Sequence, residues 1–103
     1  MNLESLEKFG TPRKVGEAVV NVELKKDGVL NAELLGAEPV TLDGLVYYDL
    51  DYTAESTRGN NHYLCRVAVR QGKLYAFTVQ AKAALYPEVQ SEAKSIASSF
   101  RLL

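Results

Sequence analysis

The only histidine and the only cysteine of this 103-residue chain lie three positions apart, in Asn60-Asn61-His62-Tyr63-Leu64-Cys65. Such a pair could ligate a metal. That use requires the two side chains to converge. The segment alternates as a strand does, with Tyr63, Cys65, Val67 and Val69 set against His62, Leu64, Arg66, Ala68 and Arg70. Strand residues three apart point to opposite faces. A zinc centre also needs about three or four ligands, and the chain has no other Cys or His. Cys65 therefore reads as a small buried hydrophobe, and His62, beside a turn, as solvated.

Asp49, Asp51 and Glu55 put carboxylates on one face of a neighbouring strand. Spacing of two could serve acid–base chemistry or hold a hard cation such as calcium or manganese. The simpler reading is cross-strand pairing with Arg66 and Arg70, for about 0.2–1 kcal/mol each. Asp27-Gly28 and Asp43-Gly44 lack the further acidic positions of a calcium loop and read as turns. Ser91, Ser95, Ser98 and Ser99 have no histidine near in sequence to activate them, and the seven glycines are scattered rather than gathered into a phosphate-binding loop. No catalytic, cofactor-binding or metal-binding residue emerges. A hard cation, calcium or manganese, on the acidic strand face is the reading left open.

The elements that must position these residues follow from periodicity. Thr11-Pro12 reads as a helix start, and Val15, Ala18, Val19 and Val22 as one helical face. Lys25-Lys26-Asp27-Gly28 suits its end. A first strand is predicted over 30–37, with Glu38-Pro39 and Asp43-Gly44 as turns. From Leu45 the period becomes two, predicting strands over 45–57, 61–70 and 73–80. Gly59-Asn60 reads as a two-residue loop. That register sets Asp49 opposite Arg70, Thr53 opposite Arg66, Thr57 opposite His62 and Leu50 opposite Val69. It places every charged residue of both strands on one face and Tyr48, Leu50, Tyr52, Cys65, Val67 and Val69 on the other. Pro87 reads as opening a last helix with an apolar stripe of Val89, Ala93, Ile96, Ala97 and Phe100. The expected fold is α+β, one domain over residues 1–103, with helices covering an antiparallel sheet.

Composition is that of a globular domain able to form a core, with 47% hydrophobic and 24% charged residues. Twelve basic and thirteen acidic residues give a net charge of −1, which argues against electrostatic binding to nucleic acid or an anionic membrane. Tyrosines are many, six, but lack the basic interleaving of a base-stacking surface. Residues 1–10 read as neither a signal nor a transit peptide.

The ordered set Gly10-Thr11-Pro12, Tyr47-Tyr48 with Leu50 and Tyr52, His62 with Leu64, Gly72-Lys73-Leu74-Tyr75, and Ser99-Phe100 resembles the PsbP family of extrinsic thylakoid-lumen proteins. The resemblance implies an α-β-α sandwich around a central antiparallel sheet. It implies no catalytic activity and no resident cofactor. It implies docking onto photosystem membrane subunits, in oxygen evolution by photosystem II or in photosystem assembly, within the chloroplast thylakoid lumen. The family's domain begins with further strands and a long arm, and this chain resembles roughly its C-terminal two-thirds. An open sheet edge is then expected, and with it a homodimer or strand exchange. The main photosystem II subunit has an aspartate, after the Gln-Ala that ends the last strand, which can pair with the strand histidine. That position is Ala83 here, which points to an auxiliary or assembly member. The hairpin tip, Arg58, Asn60, Asn61 and His62, is the expected partner contact, because exposed tips commonly carry function. Two alternatives remain: a hard-cation carrier using Asp49, Asp51 and Glu55, and a Ran-type GTPase-binding module of the same fold.

Overall fold

The structure, a computed structural model, describes residues 6–102. A single 3₁₀ turn, Leu6–Phe9, leads into helix α1 (Pro12–Leu24). Four strands follow: β1 (Val29–Leu42), β2 (Leu45–Ser56), β3 (Gly59–Arg70) and β4 (Lys73–Lys82). Helix α2 (Tyr86–Ser98) closes the order. The strands form one antiparallel sheet in the order β1-β2-β3-β4. Helix α1 packs on β1 and β2 from one side, and α2 packs on β4 and β3 from the other. The expected α-β-α sandwich is present, with the two helices staggered across it.

Helix α1 starts where capping chemistry predicts. Thr11 accepts a hydrogen bond from the Lys14 amide at 3.2 Å, and Pro12 takes the first position. Its buried face differs from the one expected. Val15, Gly16, Val20 and Glu23 point inward, whereas Val22 is 61% exposed. Gly16 explains the rotation. A β-carbon there would lie 2.9 Å from both terminal methyls of Leu34 and 3.3 Å from a methyl of Leu50. The helix thus seats on the sheet at its one bare backbone position. Gly16→Ala should gain about 1 kcal/mol of helix propensity but cost about 1–3 kcal/mol in overpacking. A net loss of stability is expected in urea denaturation, and a rise would contradict this account of the close approach.

Strand β1 is longer than predicted and passes through Glu38-Pro39, which is not a turn. Proline is tolerated there because β1 is an edge strand, and register shifts at Val29/Asn31 and Leu34/Gly36 make it irregular. The expected turns at Asp43-Gly44 and Gln71-Gly72 are present with positive φ at both positions, the requirement of a two-residue hairpin whose twist matches its strands.

The β2–β3 hairpin turns elsewhere than predicted. Ser56 pairs with Gly59, so Thr57-Arg58 is the loop and Gly59-Asn60 already belongs to β3. The Ser56 hydroxyl secures it, donating to the Gly59 carbonyl at 2.7 Å and accepting from the Arg58 amide at 3.2 Å. Asp49 therefore faces Arg66 rather than Arg70, Thr53 faces His62 rather than Arg66, and Leu50 faces Cys65 rather than Val69. Each partner moves by four residues, an even number, so every side chain keeps its predicted face.

Two cores result. Beneath α1, Val15 and Val20 meet Tyr48, Leu50, Tyr52, Cys65, Val67 and Val69, the apolar face read from the sequence, with Leu6 added. Beneath α2, Leu64 packs with Tyr86 and Ala93. Ile96, expected in the α2 stripe, is 51% exposed.

Candidate docking surface

The charged face of the sheet is not a solvated face, because α2 lies against half of it. Arg66 is only 3% exposed. Its Nε and Nη2 donate to the two carboxylate oxygens of Asp49 at 2.6 and 2.8 Å. Its Nη1 donates to the carbonyls of Ser98 and Phe100 at 2.8 and 3.2 Å. Those carbonyls belong to the end of α2, where backbone acceptors run out of helical partners and a cation is favoured. One guanidinium thus joins β2, β3 and α2, in a planar fork that lysine could not reproduce. It also lies 5.4 Å from the Tyr47 ring centre. The hydrogen bonds that the guanidinium donates to Asp49 raise its already high pKa further.

His62 is drawn under the same helix. Its Nε2 meets Asp51 Oδ1 at 2.5 Å, and its ring stacks on Tyr86, with centroids 3.5 Å apart and planes within 9°. The side chain is only 12% exposed, so the solvated histidine expected from the sequence is corrected. The loop is Thr57-Arg58, two residues earlier than expected, so His62 lies inside β3 rather than beside the turn. Cys65 is buried on the opposite face and receives a hydrogen bond from Thr78 Oγ1 at 3.4 Å, so it never meets His62. The hard-cation alternative required free carboxylates. Asp49 instead commits both oxygens to Arg66, and Asp51 commits Oδ1 to His62. Among the described residues no cluster of three or more His, Cys, Asp or Glu is set to hold a metal ion.

Burial raises the pKa of three groups that must stay neutral: the Cys65 thiol, the Tyr52 phenol and the Tyr86 phenol, the last opposed also by the charge of Asp51. A pKa raised in the fold gives stability that is fully present below the unfolded value and lost as pH climbs through the folded one. Stability from these groups should stay flat through neutral pH and fall as pH passes the ordinary thiol and phenol values, 9.0 and 10.0. Urea midpoints measured against pH test this. Cys65→Ala should delay the onset of the fall, and an unchanged profile would overturn the assignment.

The hairpin tip divides. Arg58 reaches back to donate from Nη2 to the Asp27 carbonyl at 3.2 Å, and the Asn60 carbonyl accepts from the Ala83 amide at 2.9 Å. Arg58, Asn60 and Asn61 line a surface crevice of about 550 Å³ with Lys82 and Ala83. His62 is not part of it. Ala83 contributes a backbone amide, and Asp51 on the neighbouring strand supplies the carboxylate for His62.

Sequence reasoning missed a larger feature, a cleft of about 570 Å³ between α2 and the part of the sheet that α2 leaves bare. Glu38, Asp49, Asp51, Leu64, Ser91 and Lys94 are among its lining residues. It missed Tyr86 as well. The signal for Tyr86 was present, an aromatic residue directly before the helix-opening Pro87. The cleft had no signal, because it depends on where α2 lands.

The sequence of this chain matches the PsbP family model over residues 1–102. The chain belongs to the PsbP family. It is 31% identical over 103 residues to CyanoP of Thermosynechococcus vestitus, covering 94% of this chain and 56% of that protein. It is 31% identical over 105 residues to the chloroplastic PsbP domain-containing protein 7 of Arabidopsis thaliana, covering 96% of this chain and 37% of that one. The solution structure of CyanoP from Synechocystis superposes on this PsbP fold with a TM-score of 0.80 at 29% identity, covering 97% of this chain and 60% of that one. The chain thus spans from about a third to somewhat over half of these relatives' lengths. Tyr47, Tyr48 and His62, which carried the resemblance in the sequence, are all placed inside the fold. The family signature therefore reports the frame more than an exposed site.

Proposed function

We propose that this PsbP-family chain is the docking domain of a non-enzymatic, photosystem-associated protein of the thylakoid lumen. In this reading it assists photosystem II oxygen evolution or photosystem assembly by binding membrane subunits, and it is held at the membrane through those partners. The observation that supports this best is the family match running through the whole sandwich, both helical layers included. The internal pairing of Asp49 with Arg66 and of Asp51 with His62 agrees with a scaffolding role for the most chemically capable side chains. The domain would then work without a resident cofactor, and calcium is the ion to test by calorimetry. No helix of the described residues is long and apolar enough to cross a membrane.

Affinity capture of the full-length protein from solubilised thylakoids, read by mass spectrometry, tests the reading. Photosystem II subunits support the oxygen-evolving or photosystem II assembly role. Photosystem I subunits assign the protein to that complex instead. Recovery of neither overturns the docking reading.

Self-association through a sheet edge belongs to the same proposal. Strand β4 pairs with β3 without a register shift and carries exposed Leu74 and Tyr75, whereas β1, at the other edge, is interrupted by bulges and Pro39. A regular edge is the better template for a second strand. Light scattering at high concentration should give twice the chain mass, and a single-chain mass would count against it.

A further inference from the structure

A smaller pocket, of about 210 Å³, lies on the other face of the sheet, where the last turn of α1 meets the hairpin end of β2, β3 and β4. The register supplies its walls. Tyr63 faces Gln80 across β3 and β4, and Asn61 faces Ala54 across β2 and β3. These residues share the α1 side of the sheet with Tyr52. Glu23 lines the pocket from the helix, and Lys26 and Arg58, both exposed, complete its charged lining.

Glu23 points to a ligand. The residue is only 7% exposed. A buried carboxylate is costly unless its oxygens are partnered. Oε1 is partnered, by Lys26 Nζ at 3.0 Å, and that lysine side chain is itself 59% exposed. Oε2 makes no hydrogen bond among the described residues. It is not a fully enclosed atom either, so it opens into the pocket that Glu23 lines. Three neighbours on the walls share this condition. The Tyr63 hydroxyl and the side-chain amides of Asn61 and Gln80 have no hydrogen-bond partner among the described residues. Arg58 gives Nη2 to the Asp27 carbonyl and keeps donors to spare.

We propose that this pocket binds a small zwitterion, a molecule with an ammonium and a carboxylate a few bonds apart, such as a free amino acid. The walls carry both signs of charge. Glu23 Oε2 accepts from the ammonium, and Lys26 and Arg58 donate to the carboxylate. Tyr63, Asn61 and Gln80 offer the mixed donors and acceptors that fix orientation. A lone cation would meet Lys26 and Arg58, and a lone anion would meet Glu23, so either leaves a like charge opposed. A hard cation needs six or more oxygen ligands, and Glu23 is the one acid among the lining residues. The volume sets the size. It equals roughly seven waters at about 30 Å³ each and lies below the about 300 Å³ at which pockets for drug-sized ligands begin.

The test is a titration with glycine followed by ¹⁵N amide shifts, with methylammonium and acetate as single-charge controls. Glycine should give saturable shifts centred on Glu23, Asn61, Tyr63 and Gln80, with Kd on the order of 1–10 mM, the range open to so few atoms. Each control should bind at least about tenfold more weakly. Glu23→Gln keeps the shape, removes the charge and should weaken glycine binding by about tenfold or more. Gln80→Ala, at an exposed position, is the second variant because Glu23 is buried. It should weaken binding by about threefold and leave the urea midpoint unchanged. Absence of saturable shifts up to about 100 mM, control binding as tight as that of glycine, shifts gathered outside the pocket, or unchanged affinity in both variants would each overturn the proposal. None of these outcomes alters the thylakoid capture result, so the two readings fail separately.

Discussion

Replacing Arg66 with alanine is expected to cost about 3 kcal/mol of stability, the scale for breaking a buried charge pair whose partner stays behind. The change removes four hydrogen bonds, two to Asp49 and two to the end of α2. Asp49 is partly open to solvent, which keeps the loss toward the lower end of that scale. Arg66→Lys should recover only part of it, because an ammonium cannot hold a carboxylate in a fork and two carbonyls at once. Asp49→Asn keeps the shape, removes one charge and should cost less than Arg66→Ala. Guanidinium denaturation of the three variants gives the order. Hydrogen exchange should show faster opening of the last turn of α2 in Arg66→Ala but not in Asp49→Asn. Equal protection there in all three would mean that the Ser98 and Phe100 contacts contribute nothing to holding the helix.

Truncating either residue of the Tyr47-Tyr48 doublet should be as severe, about 4 kcal/mol for each alanine variant, the range for emptying a buried aromatic site. Adjacent strand residues face opposite ways, so the doublet serves both layers of the sandwich. On the α2 side the Tyr47 hydroxyl accepts a hydrogen bond from the Leu102 amide at 2.9 Å. On the α1 side the Tyr48 hydroxyl donates to the Gly10 carbonyl at 2.8 Å, just before the Thr11 cap. Phenylalanine at either position keeps the packing and should cost about 1 kcal/mol, one hydrogen bond. The two variants should differ in place. Tyr47→Phe should speed exchange of the Leu102 amide, and Tyr48→Phe should loosen the first turn of α1. Interchanged or identical patterns would overturn the assignment of one tether to each face.

Both residues stand in the motif that made the family legible. Most of the frame was legible for the same kind of reason. Alternation from Leu45 onward located β2, β3 and β4, because a half-buried strand must present one face to a core. Thr11-Pro12 located α1, because capping is settled within a few residues. Asp43-Gly44 and Gln71-Gly72 located their turns through the positive φ that these residues tolerate. The remaining hairpin was misplaced because Gly59 also has positive φ, yet lies just past the loop as the first residue of β3. Local conformational preference could not tell loop from strand end there, and the Ser56 hydroxyl decided it. The face assignment survived because faces depend only on parity.

The site was less legible. Of the cross-hairpin pairing expected between the carboxylates and the arginines, Asp49 with Arg66 is formed, whereas Asp51 takes His62, which was read as a solvated residue, and Glu55 takes no ion pair among the described residues. The burial of His62 follows from Tyr86, more than twenty positions along the chain, stacking on it from α2. The inward rotation of α1 likewise depends on Leu34 and Leu50 meeting bare backbone at Gly16.

The sequence by itself determined the element order, the two faces of the central strands, the α+β class and the family. These rest on periodicity, caps and turn residues, which act over a few bonds. The tertiary structure alone decided that Arg66 clasps α2, that Asp51 rather than a residue near Ala83 holds His62, and that a cleft beside α2 remains uncovered. Those outcomes rest on where two helices land on a sheet, a choice made by packing between residues far apart in the chain, and local pattern carries no record of it.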